Sequence, residues 1–309
     1  GGSKATKYNV NLSYVSDDGV LLTDSFERYR AQVKLSTKAN ERLKVGVSFS
    51  PSYSKRRRFS ATGVYDVVSQ PSWVPARLDE FNIQFVNRVR DGGRYADAQI
   101  GDYVLQRMYD DFQFPTGATI IFDANGNFQG VPVGSGTDIS NTSNINPLAK
   151  LLERQRFERR FNFYGNLYAE YKISDAFSFR SSFTATYENR INTDYQGVNE
   201  SRNGAAGANA SYDTRSRWAL ISDNIMSFNK TFGKHDVSAI AGVSLEHRFF
   251  EESQIEASGF TSDLIPNVGG GSIINFATAF DYENFLNSLL ARVIYSYDNK
   301  YLYNASIRA

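Results

Sequence analysis

The chain contains no cysteine. That excludes disulfide frameworks, zinc–thiolate sites and thiol catalysis, and it fits an oxidising compartment without requiring one. Histidine, tryptophan and methionine occur only twice each. Neither His235 nor His247 has a His or Cys companion at ligand spacing, so no metal site is expected. Charge of either sign is not in excess, at a formal net of +1, and gives no reason to expect a nucleic acid or an acidic polymer as partner. The one basic run, Lys55-Arg56-Arg57-Arg58, reads as a solvated cluster at a strand end. Long apolar runs are missing too. No segment approaches the ~20 residues of a spanning helix, and the mean hydropathy is negative. A bundle of membrane helices is thereby excluded. A membrane barrel is not, because its strands alternate lipid-facing with lumen-facing residues and dilute the average.

What is abundant is aromatic: 19 Tyr and 23 Phe, residues that favour strands and form the girdles of membrane barrels. Period two dominates the chain. From 157 to 173 the odd positions read Phe157, Arg159, Phe161, Phe163, Gly165, Leu167, Ala169, Tyr171 and Ile173, and only Arg159 spoils an apolar face. After Ser174-Asp175-Ala176 the pattern restarts with Phe177, Phe179, Ser181, Phe183, Ala185 and Tyr187, as in a long-armed hairpin. The same texture recurs at Tyr8 to Tyr14, Tyr29 to Leu35, Leu43 to Phe49, Val237 to Leu245, Leu289 to Tyr297 and Tyr301 to Ile307. A less regular stretch, 216–231, suggests a bulge. About nine strands result. Several are longer than the ~5–6 residues usual in soluble sheets and reach the ~9–11 residues that cross a bilayer.

Connections alternate short and long. The short ones fall at 37–42, 174–176, 233–234 and 298–299, the long ones at 17–26, 56–156, 195–213 and 253–284. An ordinary sandwich has no reason for this asymmetry, whereas outer-membrane barrels join strands by short periplasmic turns and long extracellular loops. The fold expected is all-β: a partial antiparallel transmembrane β-barrel with a mixed α/β extracellular insertion at 56–156. Within the insertion, 64–69 and 78–90 read as short helices, 119–133 as a hairpin around Asn125-Gly126, and Asn146-Pro147 as the cap of a helix running to about Arg154. Starting Gly1-Gly2-Ser3 and stopping at Arg308-Ala309 within a strand pattern, the chain is expected to be part of a larger barrel.

No arrangement for catalysis is apparent, and neither enzyme activity nor a cofactor is expected. Asp123-Ala124-Asn125-Gly126-Asn127 opens like a calcium loop but has Phe128 at the sixth place and Gly134 at the twelfth, where Gly and Glu are needed. Glu251 and Glu252 are adjacent on a strand and so point to opposite faces. Gly269-Gly270-Gly271 lacks the Lys-Ser/Thr and helix of a phosphate loop and reads as a flexible loop tip. Trp73, Tyr95, Tyr109 and Phe112 in the insertion either build its own core or contact substrate or a partner. Tyr168, Tyr171, Tyr295, Tyr297, Tyr301 and Tyr303 gather near the short-turn end as a periplasmic aromatic girdle.

The order of these segments resembles SusC/RagA-type TonB-linked outer-membrane proteins. Tyr8-Asn9-Val10-Asn11-Leu12-Ser13-Tyr14, Asp18-Gly19-Val20, Phe26-Glu27-Arg28-Tyr29 and Leu43-Lys44-Val45-Gly46 are similar to that family's first barrel strands. Asn146-Pro147, Tyr168 to Ile173, Trp218, Phe228 to His235 and Ala241-Gly242 continue the likeness, and Leu289 to Leu302 with Ala305 to Arg308 closes it. The resemblance covers nearly the whole chain and is weakest at 60–138. It implies a TonB-dependent receptor, in which residues 1–309 supply part of a 22-stranded barrel, with the plug and the TonB-contacting segment outside this chain. It implies the outer membrane of a Gram-negative bacterium, lipid contact, a SusD-like lipoprotein lid, the TonB complex, and uptake of oligosaccharides or peptides. The competing readings are a passive porin-like or structural barrel and a secreted carbohydrate-binding β protein.

Overall fold

A computed structural model describes residues 1–59, 66–68, 74–109, 121–122, 128–130, 146–201 and 203–309. Nine strands form one antiparallel sheet: β1 (Thr6–Asp18), β2 (Ser25–Lys38), β3 (Leu43–Arg57), β6 (Gln155–Lys172), β7 (Phe177–Gln196), β8 (Asn209–Phe232), β9 (His235–Ser258), β10 (Ile273–Tyr297) and β11 (Tyr301–Arg308). Each pairs with its neighbour in this order. A two-stranded ribbon, β4 (Ile121–Phe122) with β5 (Phe128–Gly130), stands apart inside the β3–β6 connection. The hairpin turn expected there lies outside the described residues. None of the described helices is long and apolar enough to cross a membrane.

The register joins the separate period-two patterns into two continuous faces. Tyr8 lies opposite Leu35, Leu35 opposite Val47, Val47 opposite Leu167, and Leu167 opposite Phe183. One face is therefore apolar from strand to strand, yet Leu12, Leu167, Phe183, Val243 and Leu289 on it are 38–77% exposed. A sheet in water would cover so large an apolar surface; here it is the surface turned to lipid. The other face carries Asn9, Lys34, Ser48, Asn166 and Thr184 in one row, with Asp223 opposite Ser182 in the next, and is the inward one.

Aromatic residues rim the apolar band on both sides. At the short-turn end Phe177 meets Phe228 at 4.7 Å, Tyr295 meets Tyr303 at 6.2 Å, and the His235 ring lies 5.0 Å from Tyr297. At the other end Tyr14 meets Tyr29 at 4.8 Å, Phe161 meets Tyr187 at 6.2 Å, and Trp218 stacks on Phe249 at 5.6 Å. Trp218 and Phe228 are ten residues apart on β8. That is roughly 33 Å of strand and about 25 Å of height at the usual barrel tilt, the thickness of an outer-membrane apolar band. Arg159, the exception in its face, lies beyond Phe161, level with Lys55 and Ile191 and above the upper rim.

Several expectations need correction. β8 carries no bulge: it pairs with β7 and β9 without a register shift, and the irregularity sits in β10 between Ile274 and Phe276. The polar residues that broke the pattern satisfy one another on the outward face, Ser181 Oγ donating to Asn224 Oδ1 and Asn224 Nδ2 donating to Ser222 Oγ. The connection expected at 253–284 is mostly strand, leaving 259–272 as loop. Its alternation was hidden by a change of parity. From Tyr297 up to Phe285 the odd-numbered, outward positions of β10 are apolar except Asn287, with Leu286, Leu290 and Ile294 on the inward face. Above the upper rim the aromatic residues are even-numbered, with Phe280 and Tyr282 packing on Phe250 of the inward face. Once the strand leaves lipid, the apolar side turns inward.

Residues 78–90 do not form one helix but contain a single 3-10 turn at Ile83–Phe85, followed by one helical turn at Arg90–Gly93. Asp79 Oδ1 accepts from the amides of Phe81 and Asn82, and Asn82 Oδ1 accepts from the amide of Asp79. These local side-chain bonds compete with helix propagation. Of the helix expected at 64–69, Asp66, Val67 and Val68 are helical; the rest lies outside the described residues. The Asn146-Pro147 cap is present, with Asn146 Oδ1 accepting from Leu148 and Ala149 at the start of the helix Pro147–Glu153.

Candidate functional site

The long connections are 19–24, 58–154, 197–208 and 259–272, and all leave the same end of the meander. There they fold into one assembly. The insertion has its own core of Leu78, Val86, Tyr95, Val104, Leu105, Met108 and Tyr109, each at most 8% exposed. A second cluster joins β7, β8, β9 and two loops through Tyr195, Ala208, Ala210, Ala257 and Phe260. Asp263 Oδ1 accepts from Tyr195 Oη and from the Val198 amide, both at 2.7 Å, and so ties the 259–272 loop to the 197–208 loop. The triple glycine is a packed turn and not a free tip. A Cβ on Gly271 would stand 2.8 Å from Ala257 Cβ, and Asn267 Oδ1 accepts from the Gly269 amide.

The basic run is likewise not simply solvated. Arg57 Nη2 donates to the carbonyls of Leu152 and Arg154, fixing the end of the Pro147–Glu153 helix where unpaired carbonyls collect. Arg58 pairs with Glu158, and Arg56 lies 3.9 Å from Asp24. Their partners stand on other elements, up to a hundred residues away, where local charge reading does not find them.

Between the insertion and the 197–208 loop lies a cavity of about 310 Å³, lined by Arg77, Arg94, Tyr95, Tyr103, Val198 and Asn199 among others. Arg77 covers the Tyr103 ring at 4.1 Å, Tyr103 Oη donates to Glu153 at 2.7 Å, and Arg94 Nη2 donates to the Ser201 carbonyl at 3.0 Å. Burial, followed by the Glu153 contact, raises the Tyr103 hydroxyl above its ordinary value. Tyr95 and Tyr109 belong to the insertion core, and burial with the nearby Asp79 charge pushes the Tyr109 hydroxyl up to about 12. Trp73 and Phe112 lie outside the described residues. Tyr171, Tyr295, Tyr297, Tyr301 and Tyr303 share the outward face near the short turns. Tyr168 does not: it faces inward over Gly46, where a Cβ would stand 2.3 Å from its ring. Arg180 lies 4.4 Å from that ring, and the Tyr168 hydroxyl bonds Ser36.

Two features escaped the sequence reading. One is the inward aromatic patch of Phe250, Phe280 and Tyr282, with Arg217 5.0 Å from the Phe250 ring. The parity change in β10 was the signal for it. The other is Glu200, which sits at the loop base with its side chain fully covered. Its Oε1 accepts from the Gly197 amide at 3.1 Å, and its Oε2 has no hydrogen-bond partner among the described residues. Burial pushes its carboxyl up to about 8, and Arg154, 3.7 Å away, offsets only part of that. A carboxyl whose folded value is raised binds its proton more tightly when the loop is docked. The resulting stabilisation is complete below about pH 4.5 and is lost as pH rises toward 8. Opening of the 197–208 loop is expected to increase with pH across this window, by up to about tenfold per unit for one proton. Amide exchange at Gly197 and Val198 measures it, and Glu200→Gln should flatten the profile. A profile unchanged by that substitution would discount Glu200.

No family model matches the chain. It is similar over its whole length to TonB-dependent receptor P3 of Formosa agariphila, 23% identical over 316 residues and covering 27% of that protein. TonB-dependent receptor P26 of the same organism is 24% identical over 309 residues, across 98% of this chain and 26% of that one. The chain thus spans about a quarter of the length of these curated relatives. Among solved structures, the RagAB peptide transporter matches all of this chain and 30% of its own with a TM-score of 0.63 at 17% identity. The open-open state of the RagAB peptide importer gives 0.67 at 16% identity, again over all of this chain and 30% of its own. At these identities the structural likeness establishes the fold alone: nine consecutive strands of a β-barrel wall.

Proposed function

The chain is homologous along its whole length to TonB-dependent receptors of the outer membrane, and from that premise we propose that it forms the wall and outer mouth of an energised importer. The homology carries this reading. The orientation follows from the barrel rule that long loops face outward: the 58–154 insertion and the 197–208 and 259–272 loops then stand on the cell exterior. The imported molecule is an oligosaccharide or a peptide, and the partner over the mouth is a SusD-like lipoprotein. Support for a partner lies in the loops themselves, which are docked to one another yet leave Phe81, Val89 and Leu264 between 71% and 88% exposed. Coupling to the TonB complex belongs to parts of the protein beyond these strands.

The reading is tested in the full-length gene by replacing residues 59–153 with a short turn. The barrel is expected to reach the outer membrane at normal level while substrate-dependent growth falls at least about tenfold. Deleting TonB is expected to have the same effect on the unaltered protein. Growth that survives TonB loss would identify a passive pore, and growth that survives the loop replacement would remove the insertion from the binding machinery.

A further inference from the structure

Just inside the mouth, guanidinium groups of the inward face crowd onto shared carboxylates. Arg58, Arg160 and Arg190 all converge on one carboxylate, Glu158, with Arg160 at 3.3 Å and Arg190 at 2.9 Å. Beside it, Arg154 and Arg156 share Asp194 at 2.8 and 2.9 Å. Arg154 also lies 3.7 Å from the buried Glu200, so five guanidinium groups share three carboxylates. The register aggravates the imbalance, because Arg160 lies directly opposite Arg190, and Arg190 directly opposite Arg215. Like charges facing each other across strands are destabilising, and Arg215 is already engaged by Glu252 at 2.7 Å. A cavity of about 200 Å³ opens among Arg58, Arg156, Glu158, Arg190 and Asp194. Among the described residues the Nε atoms of Arg58 and Arg160 are buried without a partner, while the side chains of Arg58, Arg160 and Arg190 remain 25–38% exposed and reachable.

Planar guanidinium forks bind carboxylate, sulfate and phosphate oxygens in pairs, and an excess of them around an open cavity concentrates anions. We propose that this arginine row is an anion-binding site on the barrel's inner face, which receives a carboxylate or sulfate group of the ligand entering from the mouth. Only the source of the anion rests on the importer reading; the site itself follows from the crowded guanidinium groups, the cavity among them and the register.

Crystals of the full-length protein soaked in selenate provide the direct test. One anomalous peak is expected within hydrogen-bond reach of Arg160 and Arg190. Calorimetric titration with selenate is expected to weaken at least about tenfold in the Arg160→Gln/Arg190→Gln variant, as loss of two charge-assisted contacts requires. Arg190→Lys, which keeps the charge but not the fork, should fall between. An empty site at saturating selenate overturns the proposal, as does binding unaffected by the substitutions. So do carboxylates from another part of the same protein seated on these arginines. The map on unaltered protein decides the matter even where a variant fails to fold. Uptake assays bear on the importer reading alone, so the two can fail separately.

Discussion

Phe183→Arg is expected to destabilise the full-length barrel by about 2–4 kcal/mol, the cost of a guanidinium at the middle of the lipid face. Ser182→Arg, one residue away, should leave stability within about 0.5 kcal/mol. Phe183 lies opposite Leu167 and Ser222, four residues from each of Phe179 and Tyr187, and is 47% exposed on the apolar face. It therefore sits midway between the two aromatic rims. Ser182 lies opposite Tyr168 and Asp223 on the inward face, where a new guanidinium meets water and a carboxylate. Reversible denaturant unfolding of the barrel in liposomes measures both. Equal costs would show that the two faces are not lipid and lumen as assigned here.

That comparison depends on the property that made the fold legible from sequence. A wall with lipid on one side and water on the other forces alternation at every residue, so each strand announces itself without reference to its neighbours. Eight of the nine strands were visible for this reason, β8 showing as a less regular stretch, as was the alternation of short and long connections. Legibility ended where the physical contrast ended. Above the upper rim both sides of β9 and β10 meet water or protein, the lipid-facing parity lapses, and Phe280 and Tyr282 turn inward against Phe250. Residues 273–284 therefore looked like loop. The irregularity of β8 came from Ser222 and Asn224, whose polarity is resolved by Ser181 on the neighbouring strand, a partner that periodicity along one strand does not reveal.

The mouth was less legible because its chemistry is non-local. The basic run at 55–58 gave no sign that Arg57 holds the carbonyls of Leu152 and Arg154 or that Arg58 meets Glu158. Tyr95 and Tyr109 were grouped by proximity in sequence as either insertion core or contact residues, a choice sequence leaves open, and the structure places them in the core. The arginine row arises only when β6, β7 and β8 are aligned, since Arg160, Arg190 and Arg215 are widely separated along the chain. Sequence reading finds faces; it does not find rows across strands.

Asn146 shows both the reach of local rules and what they omit. The Asn-Pro pair marked a helix start, because a side-chain oxygen can accept from the first free amides and proline has no amide to satisfy at the first helical position. The structure adds a second task. Asn146 is 1% exposed, and while Oδ1 accepts from Leu148 and Ala149, Nδ2 donates to the carbonyls of Ala76 and Val104 at 2.8 Å each. One amide thus joins the helix to two separate segments of the insertion backbone. Asn146→Ala removes a cap worth ~1 kcal/mol and leaves the Val104 carbonyl without a donor at ~1–3 kcal/mol, while the Ala76 carbonyl keeps the Val104 amide, so a loss of about 3 kcal/mol from the insertion is expected. Asn146→Ser keeps the cap and loses the two carbonyl bonds, so it should recover roughly a third of that loss. Amide exchange at Leu148 and Ala149 is the appropriate measurement, with protection falling about a hundredfold in the alanine variant while amides of β7 and β8 stay protected. Unchanged protection at the helix would mean that the insertion is held by its hydrophobic core alone. Loss of protection in the sheet would mean that mouth and wall unfold as one unit.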